Sequence, residues 1–164
     1  MSLDFYHGHG SPYSWRVWLA LEHLGIPYEL KVLSFSEKDH LKPGFVALNP
    51  RHRVPTIVDD GFVLWESLAI LEYLDERFGG PKARLYPGTA QDRARIRRLI
   101  REDEADLDEK GLSPIYEELY HKPEGEAPDE ARLDAARAKL VEELDLFARE
   151  LRGSGYRGRD RQGR

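Results

Sequence analysis

Two serines, one valine–proline pair and a run of basic residues hold most of the chemistry open to this chain. Ser11 stands in Gly10-Ser11-Pro12-Tyr13-Ser14-Trp15-Arg16-Val17, directly ahead of an apolar, amphipathic stretch. Serine followed by proline marks a helix start. Proline fits the first helical position and pushes the residue before it into the extended backbone of an N-cap. Ser11 therefore caps a helix or presents a hydroxyl to something outside the protein, and the two roles are compatible. A hydroxyl can accept from the Ser14 backbone N–H while donating its own proton outward. An anion placed there would also feel the positive end of the helix dipole. A bound thiol suits such a site, because its reactive form is the thiolate and the surroundings lower its pKa.

Val54-Pro55 immediately precedes an apolar run. The pair is a strand-edge proline, or a cis bond that turns the Val54 backbone N–H and C=O outward to meet a peptide-like ligand. Glu66-Ser67 opens a further amphipathic segment, where an acid and a hydroxyl in the first turn serve capping. Their alternative use is binding, with Ser67 and its N–H on a ligand carboxylate and Glu66 on an ammonium. His40, Lys42, Arg51, His52 and Arg53 crowd the connection before Val54. They form a solvated loop or an anchor for a second carboxylate. His7 and His9 lack the further ligands that a metal set needs.

The elements that must position these residues follow from periodicity. Leu3–Tyr6 reads as a short strand and Pro12–Leu24 as a helix ending at Gly25, with Val17, Leu21 and Leu24 at helical spacing. Tyr28–Leu33 alternates loosely, like a second strand. Ser36–Leu48 is a polar, partly helical connection broken at Pro43-Gly44. Thr56–Val58 and Phe62–Leu64, joined through Asp59-Asp60-Gly61, form a hairpin pattern. Glu66–Phe78 is a strongly amphipathic helix stopped by Gly79-Gly80-Pro81. Strand, helix, strand, hairpin and helix predict a mixed sheet with helices on its faces.

Residues 80–88 read as a linker between a first domain, 1–79, and an all-helical region, 89–152. In that region Thr89–Asp92 can cap a helix running to about Tyr120, with a bend near Gly111 or Pro114. Lys122–Pro128 is a loop and Asp129–Leu151 a further helix. Residues 153–164, GSGYRGRDRQGR, read as a disordered tail.

Composition bounds the function. A net charge of −5 gives no electrostatic case for nucleic-acid binding by the whole chain. Four arginines in the tail, without interleaved aromatic residues, do not alter that. The absence of Cys excludes disulfides, thiolate metal sites and a cysteine nucleophile. No apolar run exceeds five residues, so neither a signal peptide nor a membrane span is expected and the cytoplasm is the default location.

Taken in order, S-P-Y-S-W-R-V at the first helix, N-P-R-H-R-V-P (Asn49–Pro55) before the third strand and W-E-S-L-A-I-L-E-Y-L (Trp65–Leu74) resemble the cytosolic glutathione transferase family. The similarity extends over nearly all of residues 2–152. It implies a thioredoxin-like α/β first domain (βαβ-α-ββα) followed by an all-α second domain. The first motif looks most like serine-type members, including the zeta class. By resemblance, Ser11 matches the catalytic hydroxyl that stabilises the glutathione thiolate. Val54 pairs through its backbone with the cysteinyl unit, ahead of a cis Pro55. Glu66 and Ser67 match the γ-glutamyl pair, and His40 and Arg53 fall near the glycyl end. The missing Cys is then natural, since the sulfur arrives with glutathione as co-substrate, and no metal is implied.

The departures are specific. Beta-class members carry Cys where Ser11 stands, and His on the fourth helix where Glu109 aligns. The zeta-class Cys two residues after the serine is Tyr13 here. The family's second domain continues with further helices where this chain has GSGYRGRDRQGR, so a shortened C-terminal domain is expected. The implied function is conjugation of glutathione to a small electrophile. A non-catalytic binding module and an inactive shortened member are the alternatives. A homodimer is expected as well, because Arg93, Arg95, Arg97, Arg98 and Arg101 oppose a helix dipole that the carboxylates of a partner, such as Glu72, Asp75 and Glu76, would relieve; plain surface charge is the alternative.

Overall fold

A computed structural model of the chain describes residues 2–81 and 83–153. The expected disordered tail lies outside the described residues except for Gly153, which ends a helix. The chain divides into two compact units, Met1–Pro87 and Gly88–Arg164. Among the described residues no helix is long and apolar enough to cross a membrane.

The first unit is a four-stranded mixed sheet. Strand β1 (Leu3–Gly8) leads into α1 (Pro12–Leu24), then β2 (Glu29–Leu33) and α2 (Pro43–Leu48). The hairpin of β3 (Thr56–Asp59) and β4 (Phe62–Trp65) follows, and α3 (Ser67–Phe78) closes the unit. Strand order is β2-β1-β3-β4, with β1 parallel to β2 and antiparallel to β3. Alternation along β1 turns Leu3, Phe5 and His7 inward. They meet Val17, Ala20 and Leu21 of α1 and Ile70 and Leu74 of α3, spaced by three and four residues as one helical face requires. Each of the fully buried Phe, Leu and Ile side chains contributes about 1.5–3 kcal/mol.

The polar connection after β2 is more regular than its composition predicts. Asp39–Leu41 form a 3-10 turn, and Pro43 starts α2 at its first position instead of breaking a helix. Phe45 of α2 is buried and stacks beside Tyr6 on the outer face of β1, at 5.6 Å. At the Asp59 end of β3, a buried carboxylate ties strand to helix. Asp59 Oδ2 accepts from the Tyr73 hydroxyl at 2.6 Å and from Arg77 Nε at 2.9 Å. Burial opposes ionisation of Asp59, but the two donors outweigh it and hold the carboxyl below its ordinary range. The same pairing, after burial, pushes the Tyr73 phenol up to about 12.

In the second unit the single bent helix expected over 89–120 is three segments. Helix α4 (Ala90–Glu102) begins with a capping box between Thr89 and Asp92. A π-helical stretch, Asp103–Leu112, follows, and then α5 (Ser113–Tyr120). Pro114 has no N–H for the Lys110 carbonyl, so a regular ladder could not pass this point. The wider coil brings Gly111 against helix α6 (Glu130–Gly153), where even a methyl group would stand 3.2 Å from Leu140 Cβ.

Several groups named for a dimer contact also pair within their own unit. Arg95 pairs with Asp92, Arg98 with Glu102 and Glu150, and Arg101 with Glu104. Asp75 is buried and accepts from the backbone N–H groups of Leu85 and Tyr86.

Glu118 joins α5 to the start of α6. It accepts from the Asp129 N–H at 2.9 Å, Lys122 at 2.8 Å and Arg132 at 2.7 Å. The Asp129 N–H foremost, then Lys122 and Arg132 against burial, hold its carboxyl down to about 2. A lowered carboxylate stabilises the fold fully above the unfolded value near 4.5 and progressively less as pH falls toward 2. Glu118→Gln is therefore expected to lower the melting temperature at neutral pH. Between pH 4.5 and 2 its melting temperature should converge on that of the wild type, as followed by circular dichroism.

Candidate functional site

The sheet topology gathers the turns that carry Ser11, Val54-Pro55 and Glu66-Ser67 at one end of the strands. Tyr6, near the end of β1, pairs with Thr56 at the start of β3, and Thr56 also pairs with Trp65 at the end of β4. The turn from β1 into α1, the segment entering β3 and the turn from β4 into α3 therefore open on the same side. Ser11 sits in the first of these, Val54-Pro55 in the second and Glu66-Ser67 in the third.

Ser11 is the N-cap of α1, with extended backbone and Pro12 in the first turn. Its Oγ accepts from the Ser14 N–H at 3.2 Å, and its own N–H is held by the Gly8 carbonyl at 3.2 Å. Ser11 as a whole is half-buried. The Val54–Pro55 bond is cis. The loop entering it is built around Asn49, which is wholly buried. Asn49 Nδ2 donates to the Arg53 carbonyl at 2.8 Å and to Thr56 Oγ1 at 3.0 Å, while its Oδ1 accepts from the Arg51 N–H at 2.9 Å. Arg53 is exposed, and His52 takes a positive φ of 57°.

Glu66 is the N-cap of α3, yet its side chain makes no capping bond, against the capping reading. Its backbone stands at φ 70° and ψ 110°, a region non-glycine residues rarely occupy. Ser67 is buried at the first position of the helix, and its Oγ accepts from Arg16 at 3.4 Å. Arg16 comes from α1, one turn beyond Ser11, and lies over the Tyr13 ring at 5.4 Å. It links the two helix starts.

His40 lies in the 3-10 turn, edge-on to Phe35 at 5.2 Å. Its Nδ1 is buried without a hydrogen-bond partner among the described residues. Phe35 covers Gly8. A Cβ at position 8 would come within 2.6 Å of the Phe35 ring and 3.0 Å of Val54 Cγ2, so only glycine lets ring, valine and strand end close together. This contact brings His40 and Val54 to the end of the strand that leads to Ser11.

Sequence reasoning missed Arg16 and Asn49 as individual residues, although both stand inside the motifs that drew attention. Their spacing signals nothing by itself. Each acts across a loop or between helices, which only the fold brings together. Among the described residues no cluster of His, Asp and Glu has the makings of a metal site.

Comparison with known proteins points the same way. The family model for the glutathione S-transferase N-terminal domain matches residues 10–77. Glutathione S-transferase D7 of Drosophila melanogaster is 42% identical over 99 residues, 60% of this chain and 44% of that protein. The chain thus matches less than half the length of this curated relative. Among solved structures, a glutathione S-transferase from the Antarctic clam Laternula elliptica superposes with a TM-score of 0.77 at 31% identity, over 94% of this chain and 68% of the clam protein. Glutathione transferase F7 of Populus trichocarpa gives a TM-score of 0.79 at 25% identity, over 92% of this chain and 71% of its own. The mixed sheet with helices on its faces is therefore a thioredoxin-like domain, followed by a helical region of the same kind as in these proteins. On sequence and fold together, the chain belongs to the glutathione S-transferase family.

Proposed function

We propose that the first unit binds glutathione across the end of the sheet where β1 ends and β3 begins, and that Ser11 holds its sulfur as a thiolate for attack on a small electrophile. One observation carries the reading. The Ser11 oxygen already accepts from the Ser14 N–H, which leaves its own proton to donate to an anionic sulfur at the start of α1. In this reading the Val54 backbone pairs with the cysteinyl unit ahead of Pro55. Ser67, backed by Arg16, takes the γ-glutamyl carboxylate, and Glu66 takes the ammonium. His40 and Arg53 receive the glycyl carboxylate. The thiol proton leaves to solvent, the thiolate forms a carbon–sulfur bond, and the leaving group departs with its bonding pair. A cytoplasmic homodimer belongs to the same proposal.

Retention on immobilised glutathione, followed by conjugation of a generic aromatic electrophile, tests it. The expected result is specific retention and turnover that saturates in glutathione. Absence of both overturns the proposal, and retention without turnover leaves a binding module.

A further inference from the structure

His7 is buried among aromatic rings and has no part in the reading above. It is fully shielded from solvent, with Trp18 at 5.0 Å, His9 at 5.3 Å and Phe5 at 5.9 Å between ring centroids. Among the described residues neither of its nitrogens has a hydrogen-bond partner. Among the described residues no anionic group facing it is free to hold a positive charge. In β2, Val32 lies opposite His7. Helix α1 brings Trp18 and, one turn earlier, the Ser14 hydroxyl, itself buried without a partner. Helix α3 packs Ile70 and Leu74 into the same core. The carboxylate on that side of α1, Glu22, is engaged by the Tyr28 hydroxyl, which also receives the Trp18 N–H. The titratable neighbour is His9, a like charge when protonated.

An imidazolium here would be a buried cation without an acceptor, a state that an apolar surrounding disfavours. Position gives this cost a consequence. His7 directly precedes Gly8, whose carbonyl holds the Ser11 N–H. We infer that His7 is a positioning residue for Ser11 that works only as the neutral imidazole: protonation drives the ring from the core and unseats the turn that carries Ser11. Burial first, and then His9, depress protonation of His7. The stabilisation is therefore complete above the ordinary histidine value of 6.5 and is lost as pH falls below it.

The effect on ligand rests on the glutathione reading, whereas the effect on the turn does not. Two measurements on the full chain separate them: amide-exchange protection over residues 10–14, and affinity for S-methylglutathione, which has no thiol to titrate. Between about pH 7.5 and 5, both are expected to fall about tenfold in the wild type. His7→Phe should abolish the acid limb. His9→Ala, at an exposed position, should make the limb shallower, because removing the like charge brings the folded-state value of His7 back toward 6.5. A wild type with no limb, a limb kept unchanged in His7→Phe, or a limb of unchanged depth in His9→Ala overturns the inference. If His7→Phe does not fold, the depth of the His9→Ala limb decides. If S-methylglutathione fails to bind at pH 7.5, the glutathione reading falls and the protection factors alone judge His7.

Discussion

Ser11→Ala is expected to leave bound glutathione largely as the neutral thiol near neutral pH and to cut turnover roughly ten- to a hundredfold. A hydrogen bond to a charged acceptor is worth about 1.5–3 kcal/mol, and alanine removes its donor together with the cap on the Ser14 N–H. Titrating the ultraviolet absorbance of the bound thiolate measures the effect directly. Loss of the N-cap costs only about 1 kcal/mol, so the variant should remain folded. Affinity for an S-alkylated glutathione should change far less than thiolate content. Ser11→Thr, which keeps the hydroxyl, should restore much of the activity. An unchanged thiolate titration in Ser11→Ala would remove Ser11 from the chemistry.

The second large effect is expected at a residue outside the proposed contact set. Asn49→Ala deletes one buried amide that holds the Arg51 N–H, the Arg53 carbonyl and Thr56 Oγ1 together. Thr56 still donates to the Arg53 carbonyl at 3.2 Å, but the Arg51 N–H is left without its acceptor. Leaving such a group unsatisfied and a side-chain cavity behind costs about 2–4 kcal/mol. Chemical denaturation should show this loss. Glutathione affinity should fall further than stability alone explains, because the loop supplies both Val54 and Arg53. A variant that loses stability but binds glutathione normally would show that the loop's shape is dispensable for binding.

The sequence exposed the parts of the fold governed by local rules. Ser11-Pro12 marked the start of α1, Asp60-Gly61 the hairpin and Thr89–Asp92 a helix entrance, and each stands where turn and cap chemistry requires. Signals depending on distant partners were misread or invisible. Pro43 was read as a break because the apolar contact that rewards α2, Phe45 against Tyr6, lies on a strand 39 residues away. The π-helical stretch needed knowledge of Leu140 opposite Gly111. The candidate site was legible as three motifs, while the Arg16 link and the Asn49 knot depend on chain segments meeting in space. Burial of His7 follows from its phase with Leu3 and Phe5, whereas the want of a hydrogen-bond partner for its ring among the described residues depends on what packs over the strand.

The backbone at Glu66 has an implication for how such a chain is maintained. A non-glycine residue held at φ 70° costs about 1–3 kcal/mol, and glycine would occupy that bend almost freely. Selection for robustness alone would favour glycine at this corner. A carboxylate stands there instead, at an exposed position and without a capping bond, so the fold gives up some resilience to display an acid beside the entrance of α3.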